Sequence, residues 1–156
     1  MLICYISNTN AMEYITKNTW ETEKLGENLA VKLRGGEIIA LIGNLGSGKT
    51  VFTKGIAKAL GINKRITSPT FVFWRSYKVS HRSRIKYLCH IDLYRLPKPR
   101  GILALGIDEY WQRADTICVI EWAEKIKNYL SKKNLFLVKF DLINSNVRKI
   151  IINKRY

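Results

Sequence analysis

Apolar and polar positions recur with two different periods along the chain, and the switches between them mark the elements. From Asn18 or Thr19 to Leu33 the leucines Leu25, Leu29 and Leu33 repeat at every fourth position, the spacing of one helical face. Asn18 or Thr19 is suited to cap this helix, and Glu21 and Glu23 stand in its first turn, where the positive helix end favours acids. Gly35-Gly36 ends it. The period then disappears: Glu37-Ile38-Ile39-Ala40-Leu41-Ile42 is one near-continuous apolar run, as expected of a central parallel strand buried on both faces. A glycine-rich loop follows, then a helix to about Leu60 that stops at Gly61.

Phe71 to Val79 alternates and is aromatic-rich, which predicts a half-exposed strand. Ser80 to Arg84 is a polar, basic turn, and Ile85 to Asp92 reads as the returning strand of a hairpin. Pro97 and Pro99 break the loop that follows, and short helices are predicted over Gly101 to Leu105 and Asp108 to Arg113. Thr116 to Ile120 is a second buried strand. Ala123 to Leu130 reads as helix. Leu135 to Leu142 and Val147 to Asn153 pair as a hairpin around Asn144-Ser145-Asn146. Strands alternating with helices predict an α/β sheet with antiparallel additions. Residues 12–153 make one domain, 1–11 an extension of uncertain role with no part in the fold, and 154–156 a basic tail.

Composition narrows the class. With 47% hydrophobic and 25% charged residues over 156 positions, the chain has a globular balance and is long enough to bury a core without disulfides. No apolar run approaches the roughly 20 residues that span a bilayer. The opening Met1 to Ile6 lacks a basic leader and is a poor signal peptide. Cys4, Cys89 and Cys118 show no CxxC pairing, which fits a reducing cytoplasm. His81 and His90 are isolated and read as surface or packing residues. Lysine and arginine number 27 against 12 acids, a net charge of +15. That excess points to a polyanionic partner, or to a compositional bias spread over a solvated surface.

The glycine-rich loop carries the chemistry. Gly43-Asn44-Leu45-Gly46-Ser47-Gly48-Lys49-Thr50 matches the P-loop pattern G-x-x-x-x-G-K-[ST], between an apolar strand and a helix as the motif requires. Glycines let successive N–H groups curl around phosphate oxygens, and the helix that follows aims its positive end at the same anion. Lys49 supplies a point charge to the β/γ-phosphates, and the Thr50 hydroxyl suits Mg²⁺. The fold class is therefore a P-loop NTPase-like three-layer α/β sandwich, with a mostly parallel central sheet and antiparallel hairpin additions. Such a site needs a carboxylate near the metal at the end of a neighbouring strand. Two are available: Glu121, after the second buried strand, and Asp92, at the end of Tyr87 to Ile91. Glu121 is preferred because its strand is the other apolar run long enough to lie beside the P-loop strand.

Further segments stand in a recognisable order: Thr67-Ser68-Pro69-Thr70-Phe71, His90-Ile91-Asp92-Leu93-Tyr94-Arg95-Leu96, Leu105-Gly106-Ile107 with Glu109-Tyr110, and Val119-Ile120-Glu121-Trp122-Ala123-Glu124. With the P-loop they resemble the TsaE family, bacterial ATPases needed to make N6-threonylcarbamoyladenosine in tRNA, over roughly Met12 to Arg148. The chain departs from the family pattern at Pro97 to Gly101, which is basic where glutamates are usual, and at Asn146, where a Gly-Arg pair is common. The resemblance implies Mg²⁺-dependent binding of ATP or ADP and slow hydrolysis, stimulated in a complex with TsaB and TsaD partners whose substrate is tRNA. By position, Asn44, Leu45, Gly46, Ser47, Gly48 and Lys49 would hold phosphate. Thr50 and Glu121 would hold the metal, and Asp92 would order water or metal at the γ-phosphate. Ser68 and Thr70 would sense that phosphate from a switch-like loop, Trp122 would pack beside the nucleotide, and Thr19 and Thr22 would lie near the adenine.

Two rivals stay open. A small-molecule P-loop kinase needs a lid, and no lid-sized insertion follows the P-loop helix. A nucleotide-gated scaffold with negligible turnover differs from a slow ATPase only in phosphate release. Separately, Trp74 to Lys78 and His81 to Tyr87 interleave cations and aromatics. That hairpin reads as a weak direct tRNA contact, or as a solvated hairpin whose aromatics pack on the sheet.

Overall fold

The computed structural model describes residues 3–6, 11–80, 84–98, 101, 106, 108–111, 113–131 and 133–155. In chain order the elements are β1 Ile3–Ile6, β2 Ala11–Thr16, α1 Thr19–Ala30, β3 Ile38–Gly43, α2 Lys49–Ala59, β4 Trp74–Lys78, β5 Tyr87–Asp92, α3 Asp108–Trp111, β6 Thr116–Glu121, a 3₁₀ turn Ala123–Ile126, β7 Leu135–Leu142 and β8 Arg148–Arg155. The strands form one sheet in the order β1-β2-β8-β7-β3-β6-β5-β4. The four central strands, β7-β3-β6-β5, run parallel. The pairings outside them, β4 on β5 and β8, β2 and β1 beyond β7, are antiparallel. The expected P-loop NTPase-like sandwich is present.

Period two sorts each central strand onto two faces. Ile39 and Leu41 of β3, Ile117 and Val119 of β6, and Leu88 of β5 join Leu25, Leu29, Phe52 and Ile56 from the two long helices, and Leu60 just after α2, in one core. Ile38, Ala40, Cys118, Ile120, Cys89 and Ile91 face the other way, onto Ala123, Ile126 and Leu130. Asp92 and His90 share the helix face with Leu88, and Glu121 shares it with Val119. The alternation that buries the core thus also carries these three polar groups to the side where α2 begins.

The helix layer is held close by glycines. A Cβ on Gly26 would stand 2.2 Å from the Phe52 carbonyl oxygen, and one on Gly55 would stand 1.9 Å from that of Glu23. The two backbones touch where they cross, and only glycine permits that approach. Asn18 caps α1 by accepting from the Glu21 N–H at 2.8 Å, while the Glu21 carboxylate accepts from the Lys17 N–H at 2.8 Å. Of the two candidate caps, Asn18 is the one used, and the Glu21 side chain adds a bond back to the preceding chain.

Several boundaries moved. Helix α1 ends at Ala30 rather than Leu33, because Lys32 and Leu33 turn back onto the Leu29 and Ala30 carbonyls, though Leu33 stays buried. Strand β4 starts at Trp74, since Phe73 is left-handed at φ 63° and Phe71 is solvent-exposed. Only a 3₁₀ turn forms in the stretch read as helix to Leu130. The sheet also exceeds the limits drawn from sequence. β1 pairs with β2, β2 opens at Ala11, and β8 continues through Arg155, so described residues on both sides of 12–153 join the sheet. The helix expected over 101–105 and the centre of the 80–84 turn lie largely outside the described residues.

Candidate functional site

Strand β3 delivers the chain into the P-loop, and α2 starts where the loop ends, at Lys49. Gly46 and Gly48 are left-handed, with φ of 76° and 102°. A Cβ at Gly46 would meet nothing within 4 Å, so the demand there is purely on the backbone, whereas one at Gly48 would stand 3.0 Å from Arg148 Nε. Gly48 is also the N-cap of α2 and has no side chain to satisfy the first helical N–H groups. Those donors face the cleft, available to an anion.

Lys49 is buried, and its ammonium donates to the Gly43 and Asn44 carbonyls at 2.7 and 2.9 Å. It lies 4.1 Å above the Trp122 ring. Trp122 reaches that position through a left-handed turn, φ 61°, directly after β6. Burial lowers the Lys49 pKa, and the carboxylates of Glu121, Glu124 and Asp92 oppose that drift.

The two candidate acids end neighbouring parallel strands, and the register sets Asp92 opposite Glu121. Both are buried. Glu121 Oε2 accepts from the Thr50 hydroxyl at 3.0 Å, and Oε1 lies 2.8 Å from His90 Nε2. Asp92 Oδ2 accepts from the Ser68 and Thr70 hydroxyls, the latter at 2.7 Å, and Oδ1 accepts from the Tyr94 N–H at 2.9 Å. One carboxylate is thus tied to the start of α2, the other to the 67–71 segment.

These groups line one cleft of about 400 Å³. Of the residues expected from sequence, Thr19, Leu45, Gly46, Ser47, Gly48, Lys49, Thr50, Ser68, Thr70, Asp92, Glu121 and Trp122 line it. Two do not. Thr22 is buried, its hydroxyl engaged by Thr16 at 2.9 Å and by the Asn18 carbonyl at 3.1 Å. Asn44 is exposed and contributes its carbonyl to Lys49 and to the Ser47 N–H. Three lining residues were missed as site residues: Val51 in the first turn of α2, Tyr94 and Arg148. Tyr94 packs on Trp122 with ring centroids 5.1 Å apart, and Arg148 brings a buried guanidinium from β8. Tyr94 follows Asp92 by two positions, a signal that was present; Arg148 comes from a strand whose placement the sequence does not fix.

The residues fit a magnesium-bound polyphosphate. Ser47 Oγ and Arg148 Nε are buried donors with no partner among the described residues, and both belong to the cleft. Such donors are costly unless something fills their valence. The Thr50 hydroxyl and the Glu121 carboxylate are hard oxygen donors of the kind Mg²⁺ takes alongside phosphate oxygens.

The basic hairpin is different in kind. Trp74 packs on Tyr110 at 4.5 Å between centroids, Tyr77 is buried, and the Arg113 guanidinium lies 5.1 Å over the Tyr87 ring. Its aromatics pack on the protein, while Arg75, Lys78 and Lys86 are exposed.

A buried parallel strand, a glycine loop closing in Gly-Lys-Thr at a helix start, and a carboxylate on the adjacent strand define a P-loop nucleotide-binding fold. The chain belongs to the TsaE family: the model for threonylcarbamoyl adenosine biosynthesis protein TsaE matches residues 16–150. It is 35% identical over 127 residues to the tRNA threonylcarbamoyladenosine biosynthesis protein TsaE of Bacillus subtilis strain 168, covering 81% of this chain and 76% of the relative. The TsaE protein of Rickettsia felis is 38% identical over 135 residues, covering 86% and 75%. The fold resembles the crystal structure of Bacillus subtilis YdiB, with a TM-score of 0.75 and 27% identity over all of this chain and 88% of that one. No helix among the described residues is long and apolar enough to cross a membrane.

Proposed function

We propose that this protein binds ATP with Mg²⁺ in the P-loop cleft and hydrolyses it as the ATPase subunit of the cytoplasmic machinery for tRNA threonylcarbamoyladenosine. It acts there with TsaB and TsaD partners. The observation that carries the reading is the meeting of Lys49, Thr50, Glu121 and Asp92 in one cleft at the amino end of α2. When bound, Mg²⁺ supplies charge neutralisation on the phosphates. The chain's own groups do the rest. Backbone N–H groups at the start of α2 cradle phosphate. Lys49 places a buried positive charge beside them, where low dielectric strengthens it. Thr50 and Glu121 hold the metal side. Asp92 grips Ser68 and Thr70, so the 67–71 segment is set to respond to a γ-phosphate. Trp122 walls the cleft against water.

Steady-state phosphate release, with and without TsaB and TsaD, tests this. Slow turnover alone that rises with the partners supports an ATPase. Tight nucleotide binding with no release under either condition contradicts it and favours the nucleotide-gated scaffold. Phosphate transferred to a small-molecule acceptor, rather than released, would instead point to a kinase. Direct tRNA contact is a secondary part of the proposal, resting on the exposed cations of the β4–β5 hairpin. It requires affinity that falls steeply with salt.

A further inference from the structure

Glu121 is not oriented by Thr50 alone. His90 lies on β5, two residues before Asp92, with a side chain fully excluded from solvent. Its Nε2 stands 2.8 Å from Glu121 Oε1, while Glu121 Oε2 takes the Thr50 hydroxyl at 3.0 Å. An ionised carboxylate only accepts, so the proton of this bond belongs to Nε2. The other ring nitrogen, Nδ1, has no partner among the described residues. The imidazole is therefore buried with one polar contact, and that contact is the acid. A histidine kept only to fill space would be cheaper as an apolar residue of the same volume, because burying an unpartnered nitrogen costs free energy.

The alternation of β5 explains how the contact arises. Leu88, His90 and Asp92 project to the helix face, and Glu121 leaves β6 on that same face. His90 pairs across the strands with Val119, two positions short of Glu121, so its ring reaches the carboxylate diagonally. Each oxygen of Glu121 thereby has its own donor, one from the sheet and one from α2. The sheet-side bond fixes the carboxylate plane independently of whatever Thr50 binds.

We infer that His90 is a positioning residue: by holding Oε1 it presents Oε2, beside Thr50, to the divalent cation of the bound nucleotide. This rests on the proposed metal-side role of Glu121. It is the arrangement in which a partner behind a metal ligand sets that ligand's orientation, and loss of such partners typically weakens metal affinity by about 10- to 100-fold.

The test uses the full chain and a non-hydrolysable β,γ-imido ATP analogue. Binding is measured by calorimetry in EDTA and across a Mg²⁺ series for the wild type, His90→Phe and His90→Gln, with circular dichroism to establish folding. The expected result is equal affinity of all three in EDTA. The Mg²⁺ concentration giving half of the affinity gain should rise about ten-fold or more in His90→Phe, and stay near wild type in His90→Gln, which retains an N–H donor. If His90→Phe does not fold, His90→Met, apolar and adaptable, takes its place against His90→Gln. A folded His90→Phe or His90→Met with an unchanged Mg²⁺ series overturns the inference. So does an equal loss in EDTA and in Mg²⁺, which would mark general damage to the cleft. A wild type whose binding ignores Mg²⁺ refutes the metal-side role of Glu121 itself, and this inference falls with it.

Discussion

Asp92 and Glu121 sit opposite one another in register at the ends of adjacent strands, are equally buried, and belong to different mechanical parts of the molecule. Glu121 is clamped between the sheet and the first turn of α2, elements packed into the main core. Asp92 is bonded to Ser68 and Thr70, in a segment that leads into exposed Phe71 and Val72. One acid is held by the scaffold, and the other holds a loop. The same chemical group at the same depth is thus bonded to the scaffold in one place and to a loop in the other, and what distinguishes them is where their donors come from.

The largest effect expected is from Lys49→Ala. It removes the buried cation, and nucleotide binding should fall beyond detection by calorimetry while the fold persists. Next, Glu121→Ala should reduce phosphate release by about 10²- to 10³-fold, the scale of losing one preorganised charge-stabilising group, with nucleotide binding in EDTA nearly intact. Asp92→Asn should act through the loop. Proteolytic cleavage within residues 67–73 should increase, and the loss of phosphate release should be smaller than for Glu121→Ala. If cleavage is unchanged and turnover falls as far as in Glu121→Ala, the loop-holding role of Asp92 is wrong and both acids serve the metal.

The scaffold side of the comparison has its own probe. Gly55→Ala places a methyl group against the Glu23 carbonyl oxygen and forces α1 and α2 apart. Urea unfolding should show a loss of about 1–3 kcal/mol, the range for overpacking a tight contact. The smallest expected effect concerns pH. Burial lowers the Lys49 pKa below its ordinary 10.5. Between that lowered value and 10.5 the unfolded chain binds more protons, so this group makes the nucleotide-free fold more stable as pH rises. Nucleotide affinity should fall over the same window, as the cation is lost. Opposite trends in stability and affinity, both flattened in Lys49→Ala, are the expected result.

Much of this site was legible in the sequence because its parts are local. The P-loop is eight consecutive residues, and its context of strand and helix followed from apolar runs. Glu121 could be preferred over Asp92 from strand length alone, though which acid lies nearer the metal is not decided by their positions side by side. What the sequence withheld was long-range registry. His90 read as a packing residue because its partner is 31 positions away, and only the offset of β5 against β6 brings them together. Arg148 was hidden for the same reason, since the order of β8, β7 and β3 sets its reach. The need for glycine at Gly26 and Gly55 comes likewise from the crossing of α1 and α2, which local sequence does not display. The N-terminal strand was passed over because four residues carry too little pattern to separate an edge strand from a tail.

The account depends most directly on the cleft taking a purine triphosphate. Calorimetric titration of the full chain with ATP in the presence of Mg²⁺ should give saturable binding near one molecule per chain that disappears in Lys49→Ala. The absence of any binding heat from ATP or GTP in the folded wild-type protein would contradict it.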